Sequence, residues 1–279
     1  MLIAITGVSG FLGSKAVEIL SATYDIIGIS HSISNHPNIP VYTFQNLEQA
    51  KSTPDVVLHC HAAVSSGINS VDKETLFEGN VVATETIINA FPKAKHIYIS
   101  TASVYEQSDE IKIESSNVAP ASDYAASKLQ AENLVLKTDK AVVVRLSSLY
   151  GIGMKENTII PNYINQAIND QKIEVWGNGN RKQNYIHVSD VVNLIDNIVH
   201  RDIWDKKIYL GVSDKEHSNV ELAQKISNFT NAEINFVNSD SSLSNHFDNR
   251  FTRNELNWYP KADLSLELKK IIEWKQRQS

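Results

Sequence analysis

A single cysteine, Cys60, in 279 residues rules out an intrachain disulfide and fits a reducing compartment. Long apolar runs are also missing, and none approaches the length that a bilayer-spanning helix needs. The opening stretch MLIAITGVSGFLGS has neither a basic region nor a small-residue cleavage boundary, so no secretory leader is expected. These absences together predict a soluble, cytoplasmic protein with no membrane partner. Positive charge is not in excess either: 26 Lys and Arg stand against 32 Asp and Glu, a net charge of -6. A surface of that sign gives no reason to expect nucleic acid. Anionic small molecules stay open, because local groups can bind them inside an acidic whole. No internal repeat or low-complexity tract interrupts the chain.

What is present is ordinary globular composition, 42% hydrophobic and 21% charged, enough for one large core with a smaller appendage. Short apolar runs recur at 2–6, 24–30, 41–44, 55–60, 95–100 and 140–146. Helical stripes follow the first run and fill roughly 70–91 and 122–137. Near-continuously apolar strands alternating with helices predict an α/β fold, a doubly wound parallel sheet covered on both faces. After Gly153 the texture changes: a helix at 158–169, a strand, a Gly-Asn turn and a second strand within IEVWGNGNRKQNYIHV, then NVELAQKISNFT as an amphipathic helix. EINFV reads as a strand, LSLELKKIIEWKQ as a terminal helix, and 238–249 as a polar loop. The expected plan is a nucleotide-binding domain over 1–153 and a smaller, partly interleaved α/β substrate lobe over 154–279.

TGVSGFLG sets Gly7, Gly10 and Gly13 between the first strand and the first helix. Glycines there allow a tight turn, close backbone approach to a pyrophosphate and tight helix–strand packing. The helix N-terminus beyond offers free N–H groups to the phosphates. About 20 residues on, where an acid often binds the adenosine ribose, the chain reads Ser30, His31 and Ser32 with no carboxylate. A hydroxyl cluster beside a histidine could accept a 2′-phosphate, which tilts the expected cofactor from NAD towards NADP. In APASDYAASK, Tyr124 and Lys128 fall four apart and share a helical face, a phenol and an ammonium that could act as one proton-donating unit.

With the glycine loop, STASVY and YAASK in that order, the chain resembles the extended short-chain dehydrogenase/reductases, more narrowly the NAD-dependent epimerase/dehydratase family of nucleotide-sugar enzymes. DVVLHCHAA, NVVAT, RLSSLYG, VWGNGNRKQNYIHVSDVV and LNWYP extend the resemblance over almost the whole chain. The resemblance implies a Rossmann-type sheet and a catalytic set of Thr101, Tyr124 and Lys128, with Ser100 and Ser103 as nearby alternatives to the threonine. A tyrosine has an ordinary pKa of about 10. A neighbouring ammonium and a positive nicotinamide would favour its phenolate and move it nearer neutrality. The implied cofactor contacts are Gly7, Gly10, Phe11, Leu12, Gly13, Ser30, His31, Asn46, Leu47, His61 and Lys128. The implied substrate contacts are Ser103, Ser148, Arg181, Gln183 and Arg250.

The resemblance leaves the reaction partly open. Dehydratases of this family carry an Asp-Glu pair after the threonine, whereas Ala102 and Ser103 stand here. A 4-epimerase and a 4-ketoreductase both remain, and the missing ribose-binding acid leans towards the reductase with exchangeable NADPH. The substrate lobe has Gln183-Asn184 before YIHV where an Arg-Asp pair is usual, so Arg181 or Arg250 is expected to meet the substrate phosphate instead. A nucleotide sugar is the expected substrate. A non-sugar carbonyl compound, or a non-catalytic NAD(P)-sensing role, is the alternative. His59 and His61 lie on one side of a strand, but no third ligand stands at useful spacing, so no metal is expected. Asn80, in NVVAT, reads either as an organiser of the active site or as plain helix surface. The helices near 70–91 and 122–137 are where members of the family pair, which suggests a homodimer.

Overall fold

The computed structural model describes residues 1–32, 36–50, 52–64, 70–201, 204–205 and 207–278. In chain order the first half gives β1 (Leu2–Thr6), α1 (Phe11–Leu20), β2 (Asp25–Ser30), β3 (Val41–Thr43), β4 (Val56–His59), α2 (Lys73–Phe77), α3 (Ala83–Ala90), β5 (Lys95–Thr101), β6 (Ile111–Lys112), α4 (Asp123–Val135) and β7 (Ala141–Leu146). There follow β8 (Ser148–Tyr150), α5 (Ile159–Asn169), β9 (Lys172–Trp176), β10 (Lys182–His187), α6 (Val188–Val199) and β11 (Lys207–Gly211). The chain ends with β12 (Glu216–Ser218), α7 (Asn219–Thr230), β13 (Glu233–Val237), β14 (His246–Phe247), α8 (Arg250–Leu256) and α9 (Leu264–Gln276).

Seven strands form the main sheet in the order β11-β7-β5-β4-β1-β2-β3, all parallel. The fold is the doubly wound α/β sheet read from the sequence. Side chains alternate with period two across it. Ile3, Ile5, Val56, Leu58, Ile97, Ile99, Val142 and Val144 belong to one face, packed with α1 and α6. Ala4 and Val57 enter the cluster around Ile87 on the other face, and Tyr98 and Val143 that around Ala131. Chain order runs outward in both directions from the β1–β4 pair, so a crevice opens at their carboxyl ends.

A second core lies beyond the sheet, built on Tyr150, Ile160, Tyr185, Leu222, Leu268 and Ile272 from β8, β10, α5, α7 and α9. Three details go beyond the sequence reading. The stretch near 70–91 is not one regular helix: Asp72 caps α2, and a π-helical turn at Glu78–Val82 separates it from α3. The strands flanking the Gly-Asn turn do not pair with each other. β9 pairs with β13 and β10 with β8 and β12. The polar segment 238–249 carries β14, which pairs with β6 across the chain.

Candidate active site

β1 ends at Thr6 and the chain turns through Gly7 at φ +68, a left-handed conformation that glycine adopts without strain. A Cβ on Gly7 would also lie 2.9 Å from the His61 backbone, so this turn sits directly against the exit of β4. On Gly13 a Cβ would come within 2.2 Å of the Gly7 oxygen, so α1 packs flush on the loop. The resulting cradle opens into a cavity of about 470 Å³ lined by Gly7, Ser9, Gly10, Phe11 and Leu12 at one side. Ser30, His31, Ser32 and Phe44 line its far end, with His31 stacked on Phe44 at 4.9 Å between ring centroids. Among the described lining residues the only Lys, Arg, Asp or Glu are Lys128 and Lys155, so an acidic chain presents a cationic hollow. A glycine cradle at a helix N-terminus beside two ammonium groups fits a dinucleotide pyrophosphate.

Tyr124 and Lys128 both line this cavity from the first two turns of α4. Ser122 caps that helix, its Oγ accepting from Ala125 N at 3.2 Å. Ala125, Ser127 and Ala131 are small enough to let α4 press on β5, which seats the Lys128 ammonium over the Tyr98 ring at 4.2 Å. Burial pushes Lys128 down to about 7, against the opposing pull of Glu132 and Cys60. Burial also pushes the Tyr124 phenol up to about 12, away from the neutral range expected for a tyrosine primed by its lysine. The reason is placement: the ammonium meets the face of Tyr98, and the protein's own groups leave the Tyr124 phenol governed by desolvation.

Thr101 closes β5 and lines the cavity beside Ser100, whose Oγ is buried with no hydrogen-bond partner. Thr101 Oγ1 donates to Ser103 Oγ at 3.2 Å and accepts from Ser103 N at 3.1 Å. A second cavity, about 410 Å³, adjoins the first across Thr101 and Tyr124. Ser103, Ser122, Ser147, Ser148, Asn184 and Asn245 supply the rest of its polar lining, and Phe247 closes one side.

Several residues singled out in the sequence lie elsewhere. Asn46 serves a turn, its Oδ1 accepting from Thr43 N at 2.6 Å, and Leu47 is buried in the core with Ile27 and Ile29. Gly13 acts by packing, without lining the cavity. Gln183 gives its amide to Asn219 Oδ1 at 2.9 Å, so its neighbour Asn184 faces the second cavity. That exchange follows from strand alternation on β10. Arg250 pairs with Asp248 and its side chain is 80% exposed, outside both cavities. Arg181 lines a side cavity that continues the second one past Ser103 and Asn245.

His61 lies in the first cavity's wall with both ring nitrogens committed. Thr84 Oγ1 donates to Asn80 O at 2.7 Å, so it must accept from His61 Nε2 at 3.2 Å, and Nδ1 is left to accept from Thr6 Oγ1 at 2.6 Å. Burial holds this neutral ring down to about 3. His59 turns to His96, Nε2 to Nδ1 at 2.9 Å, so the two histidines do not converge on a metal. Asn80 is buried in the π-helical turn: Oδ1 accepts from Ala63 N, and Nδ2 donates to Ala63 O and Ser127 Oγ, clasping the β4 exit to α4 one residue before Lys128.

Sequence reasoning overlooked Phe44, Ser147, Lys155, Asn245 and the buried pair Glu132–Arg145. Arg145 Nε and Nη2 reach Glu132 at 3.1 and 2.8 Å, with the guanidinium 4.7 Å from the Tyr105 ring. A signal existed for the pair: a lone charge inside the apolar run AVVVRL, and an acid one turn beyond Lys128.

Comparison with known proteins bears on the fold and lineage. A "dTDP-D-glucose 4,6-dehydratase" of Dictyostelium discoideum is 28% identical over 270 residues, covering 82% of this chain but 62% of that protein, less than two thirds of its length. The mouse protein described in the same words is 28% identical over 243 residues, covering 79% of this chain and 67% of its own. The crystal structure of a UDP-glucuronic acid 4-epimerase from Bacillus cereus, solved with UDP-glucuronic acid and NAD, superposes with a TM-score of 0.89 over 100% of both chains at 20% identity. The model of the NAD dependent epimerase/dehydratase family matches residues 3–209, from the first strand of the parallel sheet to the strand at its far edge, and the chain belongs to that family.

Proposed function

We propose that the protein is an NAD(P)-dependent oxidoreductase of a nucleotide sugar, acting as a 4-ketoreductase in preference to a 4-epimerase. The observation that carries this reading is the shared wall between the two cavities. Thr101 and Tyr124 line both, Lys128 and the glycine loop only the first, and Ser103, Asn184 and Asn245 only the second. A dinucleotide in the first cavity supplies a nicotinamide that takes or gives hydride. The chain's own part is to move the proton: Tyr124 Oη gives it to, or takes it from, the sugar oxygen. Thr101 Oγ1 hydrogen-bonds that oxygen and steadies the charge developing there. Lys128, on the cofactor side only, holds the ribose from its seat over the Tyr98 ring.

Both relatives described above bear dehydratase names. Eliminating water from a sugar needs a further acid and base. Ala102 and Ser103 follow the threonine here, and no Asp, Glu, His or Cys lines the second cavity among the described residues. That leaves hydride transfer without elimination. Among the described residues the first cavity likewise carries no carboxylate near Ser30 and His31, which supports NADP and an exchangeable cofactor. Pairing of two copies through the helices at 73–90 and 123–135 completes the proposal, and sedimentation reads it.

The decisive variant is Tyr124→Phe. Turnover with a nucleotide 4-ketosugar and NADPH should fall by a factor on the order of 10³ while NADPH binding persists, and unchanged turnover removes the mechanism. The purified protein should release little bound dinucleotide on denaturation. A stoichiometric, tightly held NAD would turn the assignment to the epimerase.

A further inference from the structure

The second cavity also says which sugars fit. This step rests on the nucleotide-sugar reading above, which puts the reacting ring beside Thr101 and Tyr124. Tyr124 is the one ionisable group among the described residues lining that cavity. Much of its neutral polar lining is already spent. Ser103 accepts from Thr101, Ser122 caps α4, and Asn184 holds Ser147 Oγ at 2.7 Å, Ser213 N at 2.9 Å and Ser213 O at 2.8 Å. Among the described residues, the side chains of Tyr124, Ser148 and Asn245 have no protein hydrogen-bond partner. Asn245 is held at that wall by its backbone N–H, which donates to Lys182 O at 3.2 Å, and by the β14–β6 pairing next to it.

Cations line the adjoining cavities, Lys128 and Lys155 the first and Lys112 and Arg181 a side cavity. The side cavity, about 230 Å³, shares Ser103, Ser122, Asn245 and Phe247 with the sugar cavity and adds Lys112, Arg181 and Glu106. The Lys112 ammonium donates to Ser108 O. Arg181 Nε donates to Leu243 O at 3.3 Å, which leaves the rest of the guanidinium available, while Asp109 and Asp240 line a further hollow on its other flank.

We infer that the enzyme takes a nucleotide sugar with an uncharged ring, a hexose or deoxyhexose and not a hexuronate, whose diphosphate leaves the ring cavity towards Arg181. A carboxylate on the ring would give up its hydration with no cation to meet it. A hydroxyl or hydroxymethyl group in the same place finds the Asn245 amide and the Ser148 hydroxyl. The charge of the diphosphate is met one cavity away, where the guanidinium is.

Calorimetric titration of the cofactor-saturated protein tests this with UDP, dTDP and matched pairs of UDP- and dTDP-linked glucose and glucuronate. The glucose member of each pair should bind roughly 10-fold or more tightly than the glucuronate. Asn245→Lys should shrink or reverse that ratio with little change for UDP or dTDP alone. Arg181→Ala should weaken the free diphosphates and both sugars alike. Glucuronate binding as tightly as glucose in the unmodified protein overturns the inference and leaves the nucleotide-sugar reading standing. Failure of UDP, dTDP and all four sugars to bind overturns the reading itself.

Discussion

Lys128 is the residue where stability and chemistry pull apart. It is buried, and its ammonium is held against an aromatic face with burial pushing it down to about 7 from an ordinary 10.5. Between those values the unfolded chain holds a proton that the folded one has released. Folding stability therefore rises with pH across the window, and the burial penalty is felt in full below pH 7. Lys128→Met should be more stable than the parent below pH 7, with the gap closing towards pH 10.5, as urea unfolding at the two ends would show. The same change should remove activity, the usual exchange at a strained site. Lys155, the cavity's second lysine, is exposed. Lys155→Ala should weaken dinucleotide binding, measured by fluorescence titration, and leave the unfolding midpoint within experimental scatter.

At the scale of elements, helix α4 is anchored by charge as well as by apolar area. Its buried face carries Ala125, Ser127, Lys128, Ala131, Glu132 and Val135, too polar and too small to look like a core stripe. Glu132 joins α4 to β7 through the two-pronged Arg145 pair, with both side chains almost wholly buried at 1% and 4% exposure. Glu132→Leu should cost about 3–5 kcal/mol by stranding a buried guanidinium. Removing Arg145 as well, in Glu132→Leu/Arg145→Leu, should recover much of that loss, and equal destabilisation of single and double variants in urea unfolding would refute the account. The glycine loop makes a comparable demand on α1. Gly13→Ala must drive the helix off the Gly7 oxygen, so dinucleotide affinity should fall together with stability.

Over the whole molecule, the parallel sheet is closed by a strand from beyond residue 200. β11 pairs with β7 from Val142 to Leu146, and α6 covers the β1–β7 face with Val188, Val191, Ile195 and Ile198. Trp258 reaches back to the same helix, Nε1 donating to Asp190 O at 3.0 Å, while the Asp190 carboxylate accepts from Lys261 N and Ala262 N. A fragment ending at residue 153 would bare one edge of β7 and the face that α6 covers. It should fail to fold cooperatively, lacking the sharp thermal transition that circular dichroism would record for the full chain. Dinucleotide at 100 times its Kd should raise the full chain's stability by about 2.7 kcal/mol. No helix among the described residues is long and apolar enough to cross a membrane.

Local order was enough for much of this. The strand and helix periods, the glycine triplet after β1 and the Tyr-x-x-x-Lys pair are each written within a few residues, because backbone sterics and helical spacing act over that range. Hence the parallel sheet and the residues flanking the first cavity were legible. The second cavity was legible only in part, through Ser103 and Ser148. Whether Gln183 or Asn184 faces it depends on which strands β10 joins, and Asn245 reaches it only because β14 pairs with a segment far back in the chain. The Tyr124 phenol moved opposite to expectation because proximity in sequence to Lys128 says nothing of which ring the ammonium will cover. The amino-acid order by itself determined the dinucleotide cradle and the phenol–ammonium spacing, whose geometry is set by bonds and turns. Only the tertiary structure decided which neutral groups line the second cavity and where the cations beside it lie, since burial and partnership are properties of neighbours distant in the chain.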